Sequence, residues 1–160
     1  MRVLGIDPGT AICGFGIVEK QGSHLQVLRY GVITTPADLT MPERLEIIYH
    51  DLEQIIQEFQ PDIVGVEELF FNRNVTTAMT VSQARGVILL AARLAGVRIA
   101  EYTPLQVKQG VVGYGRATKH QMIQMTMRLL GIREKIRPDD AADALAVAIC
   151  TLLRERQNGV

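Results

Sequence analysis

Four carboxylates stand where their neighbours and spacing could do chemistry together: Asp7, Glu67, Asp140 and Asp143. Asp7 closes the apolar run Val3 to Ile6 just before Pro8-Gly9, so its side chain would project from a strand end; taken alone, an Asp before Pro-Gly reads first as an ordinary turn residue. Glu67 closes Ile63-Val64-Gly65-Val66. A carboxylate beside a central strand is costly to bury unless a cation or donor answers it, although an exposed strand end accounts for Glu67 as well. Asp140 and Asp143 are three apart in the first turn or so of a helix, on one face within about 6 Å of each other, where like charges repel. A helix start favours acids, but Asp139 alone would serve as the cap, which accounts for Asp139 better than for Asp143. Gathered in one place, the four acids would be untenable without counter-ions. Magnesium suits such a set, because it takes oxygen ligands and keeps positions open for water and phosphate oxygens. Two ions per site, with manganese an acceptable substitute, would make a centre for phosphodiester hydrolysis that activates water, neutralises the phosphate and stabilises the departing oxygen.

Those acids must be delivered by distant elements. Arg2 to Asp7, Cys13 to Glu19 and His24 to Thr34 are β-branched or alternating runs separated by Pro8-Gly9 and Gln21-Gly22, which predicts a three-stranded meander. Thr40-x-x-Glu43 is a capping box, and Leu45, Ile48, Leu52, Ile55 and Phe59 follow at helical spacing until Pro61. Asp62 to Glu67 is apolar enough for a strand covered on both faces. Thr76 or Thr77 would cap a helix reaching Ala95, Arg98 to Tyr102 is a strand, and Thr103-Pro104 opens a short helix. A second capping box, Thr118-x-x-Gln121, starts a helix that stops at Gly131, and Pro138-Asp139 begins the last one, running to about Arg156. Meander strands followed by alternating helices and strands predict an α/β fold of the ribonuclease H type: a mixed sheet flanked by helices on both faces, in one domain over 1–156 with a short tail at 157–160.

The 160 residues, 48% hydrophobic and 21% charged, suit one globular domain, with no repeat or low-complexity segment. Asp7 follows Arg2 too closely for a secretory signal, and the longest unbroken apolar runs, such as Val87 to Ala92, are short of a membrane span, so no membrane association is expected. Cys13 and Cys150 have no CxxC partner, which predicts two buried thiols in a reducing cytoplasm. Net charge is zero but uneven. Asp38 to Glu68 holds nine acids against Arg44, whereas Glu101 to Arg137 holds seven bases against Glu101 and Glu134, so a polyanion would dock on the second region.

In this order the motifs resemble the RuvC family of bacterial Holliday-junction resolvases over nearly the whole chain. Gly5-Ile6-Asp7-Pro8-Gly9 is similar to the family's opening motif, and Val66-Glu67-Glu68-Leu69-Phe70 to its second acid with an aromatic three residues on. Gln83-Ala84-Arg85-Gly86-Val87 resembles the following helix, Gln106-Val107-Lys108-Gln109 with Val112-Gly113-Tyr114-Gly115 the basic segment, and Asp140-Ala141-Ala142-Asp143 the final acidic pair. The resemblance implies a magnesium-dependent homodimer that recognises four-way DNA junctions, nicks two strands symmetrically, leaves ligatable 5′-phosphates, and works with the RuvA and RuvB branch-migration proteins. It selects Glu67 over its neighbour Glu68, since only one of two strand neighbours can face the site. Some relatives carry His at the position of Asp140, which makes that ligand the most replaceable.

For DNA contacts, the resemblance points to Phe70 as a ring that stacks on an unpaired base, worth about 1 to 3 kcal/mol, with Arg73 beside it. Lys108, Arg116 and Lys119 lie where they could reach phosphates, and Arg85 could serve either DNA or a dimer interface. Arg133, Lys135 and Arg137 need be no more than surface charge, and His24, His50 and His120 share no metal-ligand spacing. Two other enzymes share parts of the pattern. Asp7-Pro8-Gly9-Thr10 is similar to the opening of actin-like and sugar-kinase ATPases, but 160 residues leave no room for two lobes. A related nuclease acting on RNA or other branched DNA is the nearer alternative, and a non-catalytic nucleic-acid-binding module is disfavoured because four acids would repel phosphate.

Overall fold

The computed structural model describes residues 1–68 and 75–158. The order is β1 (Arg2–Asp7), β2 (Ile12–Gln21), β3 (His24–Thr34), α1 (Met41–Phe59), β4 (Ile63–Glu67), α2 (Val75–Leu94), β5 (Arg98–Tyr102), α3 (Pro104–Val112), α4 (Lys119–Leu130) and α5 (Asp139–Asn158). The strands form one mixed sheet in the order β3-β2-β1-β4-β5. β1, β2 and β3 pair antiparallel as the expected meander, while β1-β4 and β4-β5 are parallel. Three helices begin with reciprocal capping boxes, at Thr40 with Glu43, Thr103 with Gln106, and Thr118 with Gln121. Each cap satisfies orphan N–H groups and contributes on the order of 1 kcal/mol.

Helices cover both faces. α1 and α2 bury Ile48, Leu52, Ile55, Ala84 and Ile88 against Leu4, Ile6, Val64 and Val66. On the other face, α5 with α3 and α4 packs Leu145, Ile149, Val107 and Leu130 around Val3, Val18 and Ile63. Leu145, Ile149 and Leu152 of α5 are essentially inaccessible, and each contributes roughly 1.5 to 3 kcal/mol through the burial of its side chain.

The chain differs from the expected elements at several boundaries, β4 beginning at Ile63 rather than Asp62 and α2 ending at Leu94 rather than Ala95 among them. β2 extends to Ile12 and Gln21 because its ladder with β3 runs from Ile12↔Thr34 to Gln21↔His24. Thr76 and Thr77 are inside α2, already helical from Val75, so neither is its cap. α5 continues two residues beyond Arg156. Among the described residues, α2 is also the one helix long and apolar enough to cross a membrane by length and composition, although no unbroken apolar run in it is that long. Cys13 and Cys150 are buried and unpaired, and burial pushes the Cys13 thiol up to about 12, which leaves it inert.

Candidate active site

Strand alternation puts the first two acids on one face. In β1, Leu4 and Ile6 point to α1 and α2, so Val3, Gly5 and Asp7 point to α5; in β4, Val64 and Val66 point to α2, so Ile63, Gly65 and Glu67 share the α5 side. The parallel pairing Ile6↔Val66 then sets Asp7 and Glu67 side by side at the same end of neighbouring strands.

The other two acids arrive because α5 lies unusually close to the sheet. A carbon added at Gly5 would stand 2.2 Å from the Ala144 carbonyl oxygen, and one at Gly14 2.0 Å from that of Asp140. Gly14 is the register partner of Asp7 on β2. The bare backbone at Gly14 is therefore the bed on which the first turn of α5 rests, and it brings Asp140 and Asp143 over Asp7. Ala141, Ala144 and Ala148, all buried, give the helix the matching smooth surface.

The carboxylates feel one another electrostatically. Asp7 is pushed up to about 8, by burial first and then by Glu67, Asp143 and Asp140, and its side chain is hydrogen-bonded to Glu67. Glu67 is pushed up to about 7 by burial and Asp143, against the opposing pull of the Asp7 hydrogen bond, Lys108 and Lys119. Both carboxyl groups are thus held above the ordinary carboxylate range by burial and by the acids around them, which favours a proton or a cation between them. Asp143 is raised by burial, with Lys119 opposing and Asp140 and Asp139 adding.

Lys119, at the start of α4, lies 3.6 Å from both Asp143 and Asp139. With Lys108 it lines a cavity of about 240 Å³ whose wall includes Glu67, Asp143, Val107 and Met122. Among the described residues no three of the acids are grouped tightly enough to form a finished cation cage, and Asp143 faces Lys119. The donor set nevertheless fits a hard divalent cation: oxygen ligands only, mutually repelling, none tied to an arginine. Such a cation would answer the charges of Asp7 and Glu67 and take the place of Lys119 beside Asp143.

Glu68 lies beyond β4, its backbone N–H donating to the Tyr102 carbonyl, and Asp139 serves Lys119. Arg116 is exposed in the loop before α4. Arg85 is ion-paired with Glu101 on β5, so its charge is already answered. Phe70 and Arg73 lie outside the described residues. His24, His50 and His120 are exposed, and His50 faces Glu46 one turn away on α1. Sequence reasoning passed over the glycines: Gly5 and Gly14 in otherwise β-branched strands were the available signal that another backbone comes close.

Residues 3–151 match the family model "Crossover junction endodeoxyribonuclease RuvC". A protein of that name from Heliobacterium modesticaldum is 62% identical over 150 residues, covering 94% of this chain and 93% of that protein; another from Desulfitobacterium hafniense is 60% identical, covering 94% and 91%. Among solved structures, Thermus thermophilus RuvC superposes with a TM-score of 0.92 at 37% identity, covering 99% of this chain and 97% of that one. The same protein in complex with a Holliday junction substrate gives 0.90 at 35%, covering 98% and 96%.

Proposed function

The chain belongs to the RuvC family of crossover junction endodeoxyribonucleases, and from that premise we infer that it resolves Holliday junctions by hydrolysing phosphodiester bonds in two strands. The observation that carries this reading to particular residues is the convergence of Asp7, Glu67, Asp140 and Asp143 at one end of the sheet, where burial and the neighbouring acids push Asp7 and Glu67 well above the ordinary carboxylate range.

These four side chains are the proposed ligands of magnesium, two ions per site, with manganese as a substitute. When bound, the ions supply the charge that activates water and stabilises the phosphate transition state. The chain's own residues do the rest. Lys119 and Lys108, already at the cavity, bind the phosphates flanking the scissile bond, and Arg116, exposed in the loop before α4, is a further proposed phosphate contact. Arg85 is proposed as a support for the α2-β5 contact through Glu101, its DNA role requiring that ion pair to open. Phe70 and Arg73 complete the proposed DNA contacts by family resemblance. The products carry 5′-phosphates, and the working partners are RuvA and RuvB in the cytoplasm.

Two cuts require two sites, and α2 supports a homodimer. Its outward side carries Met79, Leu90 and Leu94, at 59%, 52% and 66% exposure, which is a large apolar display for a helix in water. Gly86 lies between them with open space where a side chain would be, so a second α2 could approach closely. A two-fold axis there would give two identical sites for two equivalent strands.

A synthetic four-way junction tests both parts together. With magnesium it is expected to be nicked in paired strands, and with a chelator to stay intact. Leu90→Arg is expected to sediment as a monomer and to lose the pairing of cuts, its residual nicks falling in single strands. Cleavage that persists in chelator would refute the metal site, and paired cutting by a monomer would refute the dimer.

A further inference from the structure

Arg44 is the one base in the acidic stretch from Asp38 to Glu68, yet it pairs with no acid among the described residues. Four other arginines do: Arg2 with Glu19, Arg29 with Glu58, Arg85 with Glu101, and Arg98 with Glu155. Arg44 instead donates from Nε to the Thr35 hydroxyl at 2.8 Å, and among the described residues its two terminal nitrogens have no hydrogen bond or ion pair.

Thr35 is buried and passes the connection on. Its hydroxyl donates to the Thr10 carbonyl at 2.6 Å and its N–H to the Ala11 carbonyl at 3.1 Å. The Thr10 hydroxyl, also buried, donates to the Thr80 carbonyl on α2 at 2.9 Å. The guanidinium is thereby fixed at its neck, with its fork left for something else, beside the loop that follows Asp7. A cavity of about 380 Å³ opens at that place, lined by Gly9, Thr10, Ile12, Met41, Arg44 and Thr80 among others; among the described residues its lining contains no carboxylate. An oriented guanidinium in an acid-free hollow favours an anion that can take two parallel N–H bonds, the geometry of a phosphate.

We propose that Arg44, anchored through Thr35 and Thr10, forms a second phosphodiester-binding subsite on the α1-α2 side of Asp7, gripping the DNA backbone away from the scissile phosphate. The proposal rests on the reading of the chain as a junction nuclease. Lys108 and Lys119 lie on the α3-α4 side of the acids and Arg44 on the opposite side, so the strand would be held on both flanks of the metal centre. Anchoring lowers the entropy cost of immobilising the long side chain, which suits an interaction that sets register.

The test measures binding of a four-way junction in chelator, without cleavage, over a series of salt concentrations, for the wild type, Arg44→Gln and Arg44→Lys. Arg44→Gln is expected to weaken binding about five- to ten-fold at physiological salt and to flatten the plot of log affinity against log salt by about 0.9 for each phosphate that is no longer neutralised. Arg44→Lys, which keeps the charge but not the fork, is expected to retain the slope and recover part of the affinity. Thermal melts establish that all three are folded. Wild-type affinity and slope in Arg44→Gln would overturn the subsite, as would abolished cleavage with both binding parameters unchanged, which would leave Arg44 a positioning residue for the Asp7 loop. A wild type that does not bind the junction would sink the reading beneath it instead.

Discussion

Asp7→Asn is expected to lower junction cleavage by roughly 10³-fold or more, the scale of losing a group that stabilises charge in a transition state, while junction binding in chelator stays at the wild-type level or tightens. The substitution preserves shape and can still donate a hydrogen bond to Glu67 from its amide, so α5 keeps its seat. Because Asp7 is pushed up to about 8, the metal-free site near neutral pH loses little charge on this substitution, whereas the carboxylate that a cation would need is gone. Gel-shift titration alongside product analysis separates the two effects. Cleavage within ten-fold of wild type would show that Asp7 is not a ligand, and equal loss of binding would show that its role is structural.

Gly14→Ala is expected to do comparable damage without touching an acid. The new methyl would sit 2.0 Å from the Asp140 carbonyl oxygen and 2.5 Å from its carbon, both backbone atoms that cannot rotate away. α5 must lift or slide at its acidic end. Overpacking of this kind costs about 1 to 3 kcal/mol, sometimes more, and a shift of about 1 Å in catalytic groups lowers turnover about 100-fold. Gly31→Ala is the control, since its carbon would meet only the Phe15 ring at 3.3 Å, where a side chain can yield. A melting temperature lowered by several degrees, with cleavage reduced beyond what unfolding explains, is the expected result. Two variants of equal activity would mean that α5 is not seated by Gly14.

The sequence already displayed most of the scaffold, because the signals were local. The bounds of β1, β3 and β5 and the starts of α1, α3 and α4 match expectation, each fixed by a turn, a capping box or an alternating run. The four acids stood out as a candidate site through their odd settings: Glu67 ending an apolar strand and Asp143 opening an apolar helix. What could not be read was how side chains from separate elements meet. Lys119 was expected to face phosphate but rests on Asp139 and Asp143, a contact set by how α4 docks on α5. Arg85 looked available until β5 supplied Glu101. Arg44 was absorbed into the net charge of an acidic helix, and only the fold reveals that it is turned toward Thr35 rather than toward its acidic neighbours. The strand glycines were visible, but the partner that required them is more than a hundred residues away in sequence.

Acids held close enough to need cations leave their mark on thermal stability against pH. Asp7 and Glu67 have folded-state pKa values raised to about 8 and about 7, above their ordinary 3.8 and 4.5. Between those limits the folded chain binds more protons than the unfolded one, so metal-free stability is full below about pH 4 and falls as pH rises toward 8. Magnesium, binding only the folded and deprotonated site, restores stability most at the alkaline end. The measurement is the melting temperature of wild type and Asp7→Asn from pH 5 to 8, with magnesium and with chelator. A downward slope in chelator that magnesium flattens, with both effects reduced in Asp7→Asn, is the predicted result. Wild-type curves that coincide with and without magnesium, and show no fall with pH, would contradict it.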